Sequence, residues 1–369
     1  MKSKSSQQGI SLVEVLVALG IGLFLIAGLI QLFISSRQAY KLQDAYSRVQ
    51  ENGRIALDFI MQDARNSDFL ACLRGNKNTK LFIQTYPYSQ NKGESFADYR
   101  NDTSINTKFK LTLGVSGVDN STDTTVRVGT DSIIFGGING IGIPLNEKAE
   151  DINDDLQFQD ARISVAKDLS NLSIKKDNLA IIGDCNTMDI FQVTDTKFIK
   201  KGVFSVLHYP FASSSSYDLI AQIYPFYSMR YYIKEAGNHA NNNVYYSLYR
   251  EAKNDLNTTG TNLNNDVEIV EGIEDMQILY GEDIDADQVP NYYVPLSKLN
   301  KNLDGTYNTE NVISIRINLL VASTEMNVLS GNTKLTYNNI EKSYTDGRVR
   351  REYSATIAIR NRLTDRSAK

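Results

Sequence analysis

Apolar residues fill the chain almost without interruption from Ile10 to Ile34, a run of 25 positions. As a helix it would rise about 37 Å, enough to cross the hydrocarbon core of a bilayer. The pattern then changes without stopping. Across SSRQAYKLQDAYSRVQENGRIALDFIMQDARNSDF the residues Leu42, Ala45, Val49, Ala56 and Phe59 recur at three- and four-residue steps, with Asn52 interrupting. That spacing predicts one apolar stripe on a polar helix, a seat for the chain's own domain before it is a coiled-coil seam. One helix from Ile10 to about Asn66 would be about 85 Å long. A bend is expected at Asn52-Gly53, because glycine weakens a helix interior by about 1 kcal/mol.

From Ser67 onward the period shortens to short β-branched and aromatic runs between Asn-, Ser- and Gly-rich turns. TTVRVGTDSIIFGG, NLAIIGD, MDIFQVTDTKFI, SMRYYIKE, NVYYSLYREA, VISIRINLLVAST and REYSATIAIRNRL all read as strands. EGIEDMQILYG reads as a helical turn entering a strand, with Ile273, Met276 and Leu279 on one side and Gly272 and Gly281 as its bounds. In YSATIAIRNR, alternation puts Ala355, Ile357 and Ile359 inward and leaves Arg360 and Arg362 at the strand's end on the other face. No repeat of fixed period is visible. The fold class is therefore α+β, a long helix followed by a β-rich domain with antiparallel sheet.

One residue contradicts the first run. Glu14 stands inside it, and a charge at the centre of a membrane helix costs about 2.5–3.5 kcal/mol on insertion scales. Its plainest reading is a carboxylate reaching back to the headgroups of a single-pass anchor. The leader suggests more: Lys2 and Lys4 are basic with no acid beside them, which keeps the short end cytoplasmic, and Gly9 precedes Ile10. Cleavage after Gly9 would place a charged α-amine on Ile10, about 6 Å of helix from Glu14. A secretory signal would instead have a shorter core and a small-residue cleavage site. Ala27-Gly28 lies too deep in the apolar run for that.

Composition narrows the rest. A 41% apolar content supports a real core, and a net charge of −4 with interspersed signs gives no electrostatic reason to expect nucleic acid. His208 in FSVLHYP reads as a structural histidine and His239 as a loop residue, neither beside a nucleophile. DIDADQ sets Asp283, Asp285 and Asp287 at the spacing of a calcium loop, yet Gln288 replaces the glycine and Val294 the bidentate acid. It reads as a solvated acidic turn, as does DINDD at 151–155. No catalytic residue, metal site or cofactor follows. Cys72 and Cys185, the only two cysteines, read as one disulfide if the domain is exported and as two thiols if it is not. Closing so long a loop is worth about 4.7 kcal/mol in the chain-entropy model.

KSKSSQQG followed by ISLVEVLVALGIGLFLIAGLI resembles the class III signal of type IV pilins and pseudopilins, whose peptidase cuts after the glycine and methylates the new amine. The resemblance makes Gly9 the processing residue, Ile10 the mature N-terminus and Glu14 the assembly glutamate. Two positions depart from it: Ile10 stands where the family usually has Phe, and Gln31 where many major pilins have Pro. Further along, QENGRIALDFIMQDARNSDFLACL, SLYRE, VEGIEDMQILYGED, ISIRINLLVAS and YSATIAIRNR resemble, in order, the PilW family of minor pilins.

That resemblance implies a pilin-like fold divided into a leader at 1–9, a transmembrane and filament-core helix at 10–34, its amphipathic continuation at 35–66 and a periplasmic domain at 67–369. It implies a non-enzymatic protein that joins a minor-pilin complex priming and tipping type IV pilus assembly, with a place in cell adhesion. The implied partners are prepilin peptidase, the inner membrane, the major pilin, other minor pilins and a tip adhesin. The implied location is the inner membrane, domain outward, then the pilus tip at the cell surface. A pseudopilin J-like component of type II secretion, which shares EGIEDMQILYG in looser form, is the alternative. An anchored periplasmic binding domain stands behind it.

Overall fold

The computed structural model describes residues 11–70, 80–84, 114–138, 141–149, 161–165, 174–176, 178–184, 187–200, 203–208, 216–238, 243–253, 266–301 and 307–363. One helix, α1 (Leu12–Asn66), runs through 55 residues without a break. Eleven strands then form one sheet: β1 (Lys80–Gln84), β2 (Gly114–Val118), β3 (Ser132–Ile138), β4 (Ile143–Pro144), β5 (Ala161–Val165), β6 (Leu179–Gly183), β7 (Thr187–Lys200), β8 (Val203–His208), β9 (Gln222–Asn238), β10 (Asn243–Lys253) and β11 (Asp266–Glu271). A second sheet follows, from β12 (Ile273–Glu282), β13 (Tyr292–Val294), β14 (Val312–Ala322) and, after the separate hairpin β15 (Thr333–Tyr337) and β16 (Ile340–Tyr344), β17 (Arg350–Ala358). A single turn of helix, α2 (Arg360–Leu363), ends the described chain. Both large sheets are antiparallel, apart from the parallel pairing of β1 with β7.

The second half of α1 lies on the sheets, against β17, β14, β11 and β3. It buries Ala45, Val49, Gly53, Ala56, Leu57, Ile60 and Ala64, a stripe of three- and four-residue steps. The surface beneath is built by register: Tyr280, Ile315 and Ile357 stand abreast, as do Ile278, Ile317 and Ala355. These side chains and the helix stripe belong to one core, completed by Phe135, Tyr231 and Leu248 of the larger sheet. Each fully buried large side chain contributes about 1.5–3 kcal/mol. The far end of the larger sheet, around Ile143, Ile163, Phe191 and Ile223, has a core of its own.

The α+β architecture agrees with the sequence reading, and four local expectations are corrected. α1 continues unbroken through Asn52-Gly53, where Asn52 donates its amide to the Glu271 carbonyl at 3.0 Å and Gly53 lets Tyr353 approach. The stripe is phased on Gly53 and Ile60, which leaves Phe59 37% exposed and Leu42 half-buried.

EGIEDMQILYG has no helical turn. Gly272 sits at φ +76° and β12 starts directly after it. A bulge between Ile273 and Asp275 resets the alternation, so Ile273 and Met276 share a face at three-residue spacing while Leu279 turns to the opposite one from Ile278.

TTVRVGTDSIIFGG is strand only from Ser132. Its first half is held in turns, with the Thr125 amide donating to the Asp123 carboxylate at 2.9 Å and the Gly129 amide to the Ser121 carbonyl at 2.8 Å. The last expected strand ends at Ala358, and the turn of α2 carries Arg362 inward, to 5% exposure.

Candidate functional site

Among the described residues, nothing packs on the first half of α1. Its most apolar window has a mean hydropathy of 2.6 and none of that window is buried. Phe24 is 80% exposed and Leu12 76%. An apolar cylinder of this length, left open on all sides, is the exposed patch that marks a membrane or a protein partner. Glu14 sits in its first turn, where its amide donates to the Ser11 carbonyl at 3.0 Å. A carboxylate there is favoured by the positive end of the helix dipole. No ion pair engages it among the described residues. Gly9 and Ile10 lie outside the described residues, as do Cys72, Cys185, His239 and the DINDD segment.

The helix is then joined firmly to its domain. Asp63 accepts a hydrogen bond from the Tyr231 hydroxyl at 2.6 Å and pairs with Arg250 at 3.8 Å. Just past the C-terminus of α1, Ser67 returns its hydroxyl to the Ala64 carbonyl at 2.7 Å, and Asp68 adopts φ 61°. The Asp68 amide reaches the Gly136 carbonyl at 2.9 Å, and its carboxylate pairs with the buried guanidinium of Arg362. Arg362 also donates to the carbonyls of Thr309 and Val312, the latter at 2.7 Å. Asn361 donates to the Ser67 carbonyl at 2.8 Å. The end of the helix, the start of β14 and α2 are thus fixed in one network. A buried, fully engaged guanidinium holds such a joint because its planar fork satisfies several acceptors at once.

The other chemistry-bearing residues are engaged structurally. His208 is buried, its ring 4.8 Å from that of Phe191. Asp283, Asp285 and Asp287 converge, each offering one oxygen within 4.8 Å of the others. Their oxygens serve the turn itself: Asp283 accepts the amides of Ala286 at 2.6 Å and Gln288 at 3.1 Å, and Asp287 that of Val289 at 2.8 Å. The Asn291 amide holds the Asp285 carboxyl below its usual range.

Residues 4–30 match the model of the prokaryotic N-terminal methylation motif, and residues 230–361 match that of the type IV pilus-assembly protein W. No curated protein and no solved structure gives a significant match. The first match covers the open apolar end of α1, and the second runs from β9 to α2, the part of the domain on which α1 is seated. The chain thus joins a segment similar to the prepilin methylation motif to a domain similar to a type IV pilus-assembly protein. The matched domain is that of the type IV pilus-assembly protein W, as the resemblance in the sequence implied. Pilin-family domains of this kind are structural.

Proposed function

We propose that the chain is a minor pilin, cut by prepilin peptidase after Gly9 and methylated on Ile10. It is held in the inner membrane by residues 10–34, with 67–369 in the periplasm, and then built with other minor pilins into the complex that primes and tips a type IV pilus. The observation that carries this reading is the 23-residue stretch Leu12–Ile34, apolar except for Glu14 and Gln31 and, among the described residues, free of contact with the domain. Such a surface serves two solvents in turn, lipid before assembly and neighbouring helices after it. Glu14 then has a role in each: tolerated near the headgroups in the first, it meets the α-amine of an adjacent subunit in the second. Two unit charges at 4 Å and an effective dielectric of 20 attract by about 4 kcal/mol before desolvation, comparable with the cost of burying the carboxylate. A disulfide between Cys72 and Cys185 belongs to the same proposal, since it requires an oxidising compartment.

Mass spectrometry of the chain from envelopes tests the processing step. An N-terminal methyl-Ile10 peptide is expected, and a Gly9→Ala chain should keep its leader. Peptides mapped without reductant should carry the Cys72–Cys185 bond. A Gly9→Ala chain still maturing at Ile10, or wild-type chains with an uncut leader, would contradict the proposal.

A further inference from the structure

A cavity of about 530 Å³ opens where α1 ends. Its lining includes apolar Phe69, Ile138 and Met229 together with Arg65 and Arg360. The acids nearby are already engaged: Asp63 by Arg250 and Tyr231, Asp68 by Arg362. The two arginines are not. Both are exposed, the Arg65 guanidinium reaches only the Met61 sulfur at 3.9 Å among the described residues, and neither arginine has a carboxylate partner there.

A third group points the same way. The Tyr227 hydroxyl is buried in this lining and has no hydrogen-bond partner among the described residues. Burial, with Asp63 and Asp68 nearby, holds the phenol well above its usual range, so it remains a donor. Phe69 beside it is 41% exposed. An orphaned donor, two uncompensated guanidinium groups and an open aromatic face are complementary to an anionic acceptor carried next to an apolar group.

The bearer follows from position and charge. Asn66 is 32 residues beyond Ile34, about 48 Å along the helix, so lipid headgroups at the apolar segment are out of reach. A nucleic-acid backbone needs a stripe of cations, whereas this cavity has two, an aspartate in its wall and a chain of net charge −4 around it. We propose that this cavity is a docking site for a polypeptide segment of a neighbouring subunit. In it, a Glu or Asp carboxylate is held by Arg65 and Arg360, and an adjoining apolar side chain rests on Phe69 and Met229. The Tyr227 hydroxyl donates to the same segment. Only the identity of the bearer rests on the assembly reading; the pocket's chemistry does not.

The test uses the full chain in detergent and a fluorescent heptapeptide, Gly-Ser-Phe-Glu-Leu-Ser-Gly, beside its twin with Gln for Glu. Anisotropy should show saturable binding at about millimolar or tighter, with the acidic peptide about tenfold tighter than its twin. In the Arg65→Ala/Arg360→Ala chain that preference should vanish, and Tyr227→Phe should weaken binding several-fold. The only described side-chain partner lost is the exposed 3.9 Å contact of Arg65 with the Met61 sulfur, so melting temperatures should stay within about 2 °C of wild type. No saturable binding, equal binding of the two peptides, or unchanged preference in the double variant would overturn the proposal. So would complete displacement by inorganic phosphate at matched ionic strength, which would make the site an anion pocket without peptide preference. Each of these results leaves the role of Glu14 untouched.

Discussion

The ring of Tyr353 on β17 lies so close to Gly53 of α1 that a β-carbon there would stand 2.5 Å from Cδ2 and 2.6 Å from Cε2. The helix therefore approaches the sheet at a point where only hydrogen fits. Gly53→Ala gains about 1 kcal/mol of helix propensity, but it pushes a ring wedged over the core rather than the free end of a flexible chain. We expect a net loss of about 1–3 kcal/mol, seen as a lower melting temperature. In a Tyr353→Ala background the same change should be neutral or stabilising, and the double-mutant cycle measures the coupling. Equal losses in both backgrounds would show that the ring does not set the fit.

Arg362 and Asp68 form the second fastening. Arg362→Met leaves the Asp68 carboxylate buried without its cation, together with the Thr309 and Val312 carbonyls it served, and should cost about 3–5 kcal/mol. Adding Asp68→Asn should recover part of that loss. Thermal melts of the three chains in detergent give the comparison.

A pH dependence comes from Asp131. Its carboxylate accepts the amides of Asn120 at 2.8 Å and Ile278 at 2.7 Å, which ties the 119–131 loop to β12. Burial, opposed by those two amides but assisted by nearby Asp119, raises its pKa to about 7. A carboxyl raised on folding stabilises the protein in its protonated form. That contribution is complete below about 3.8, declines as pH rises and is gone above about 7, with a slope of at most about 1.4 kcal/mol per pH unit. Desolvation also raises Asp275, with the same sign. The melting temperature of Asp131→Asn should therefore fall less than that of wild type between pH 5 and about 7, and the two should run parallel above it. Parallel curves throughout would mean that Asp131 does not titrate in this range.

Much of the architecture was legible because its signals are local. An unbroken apolar run and a three- and four-residue stripe define α1 nearly to the residue, and alternation marks β9, β10, β14 and β17. Where the reading failed, the cause was not local. Gly53 is invisible to any hydrophobic count, yet its burial sets the phase of the stripe and moves Ile60 inward in place of Phe59. The bulge after Ile273 makes a strand look helical. Arg362 resembles a solvated strand end until Asp68, from the far end of the helix, meets it. The cavity draws on Arg65 and Phe69, on Ile138, on Tyr227 and on Arg360, from four separate parts of the chain, and no sequence pattern announces such a convergence. The place of Glu14 in the first turn of α1 was legible for the opposite reason: its surroundings are the helix itself, and the partner proposed for it lies on another subunit.

The central claim is that the open apolar helix assembles through Glu14. Glu14→Ala should leave a folded chain that inserts in the membrane at least as well as wild type, since removing a charge from the apolar segment eases insertion. It should nevertheless enter pili poorly, because the amine of its neighbour loses its counter-charge where water is scarce. A protein that acts at initiation, in few copies, would then show its loss as several-fold fewer pili of ordinary appearance. The measurement is pilus number and the content of this chain in sheared pili, in a strain carrying Glu14→Ala at normal protein level. Several-fold fewer pili, with the variant retained in the membrane, is the predicted result; wild-type piliation with wild-type incorporation would contradict it.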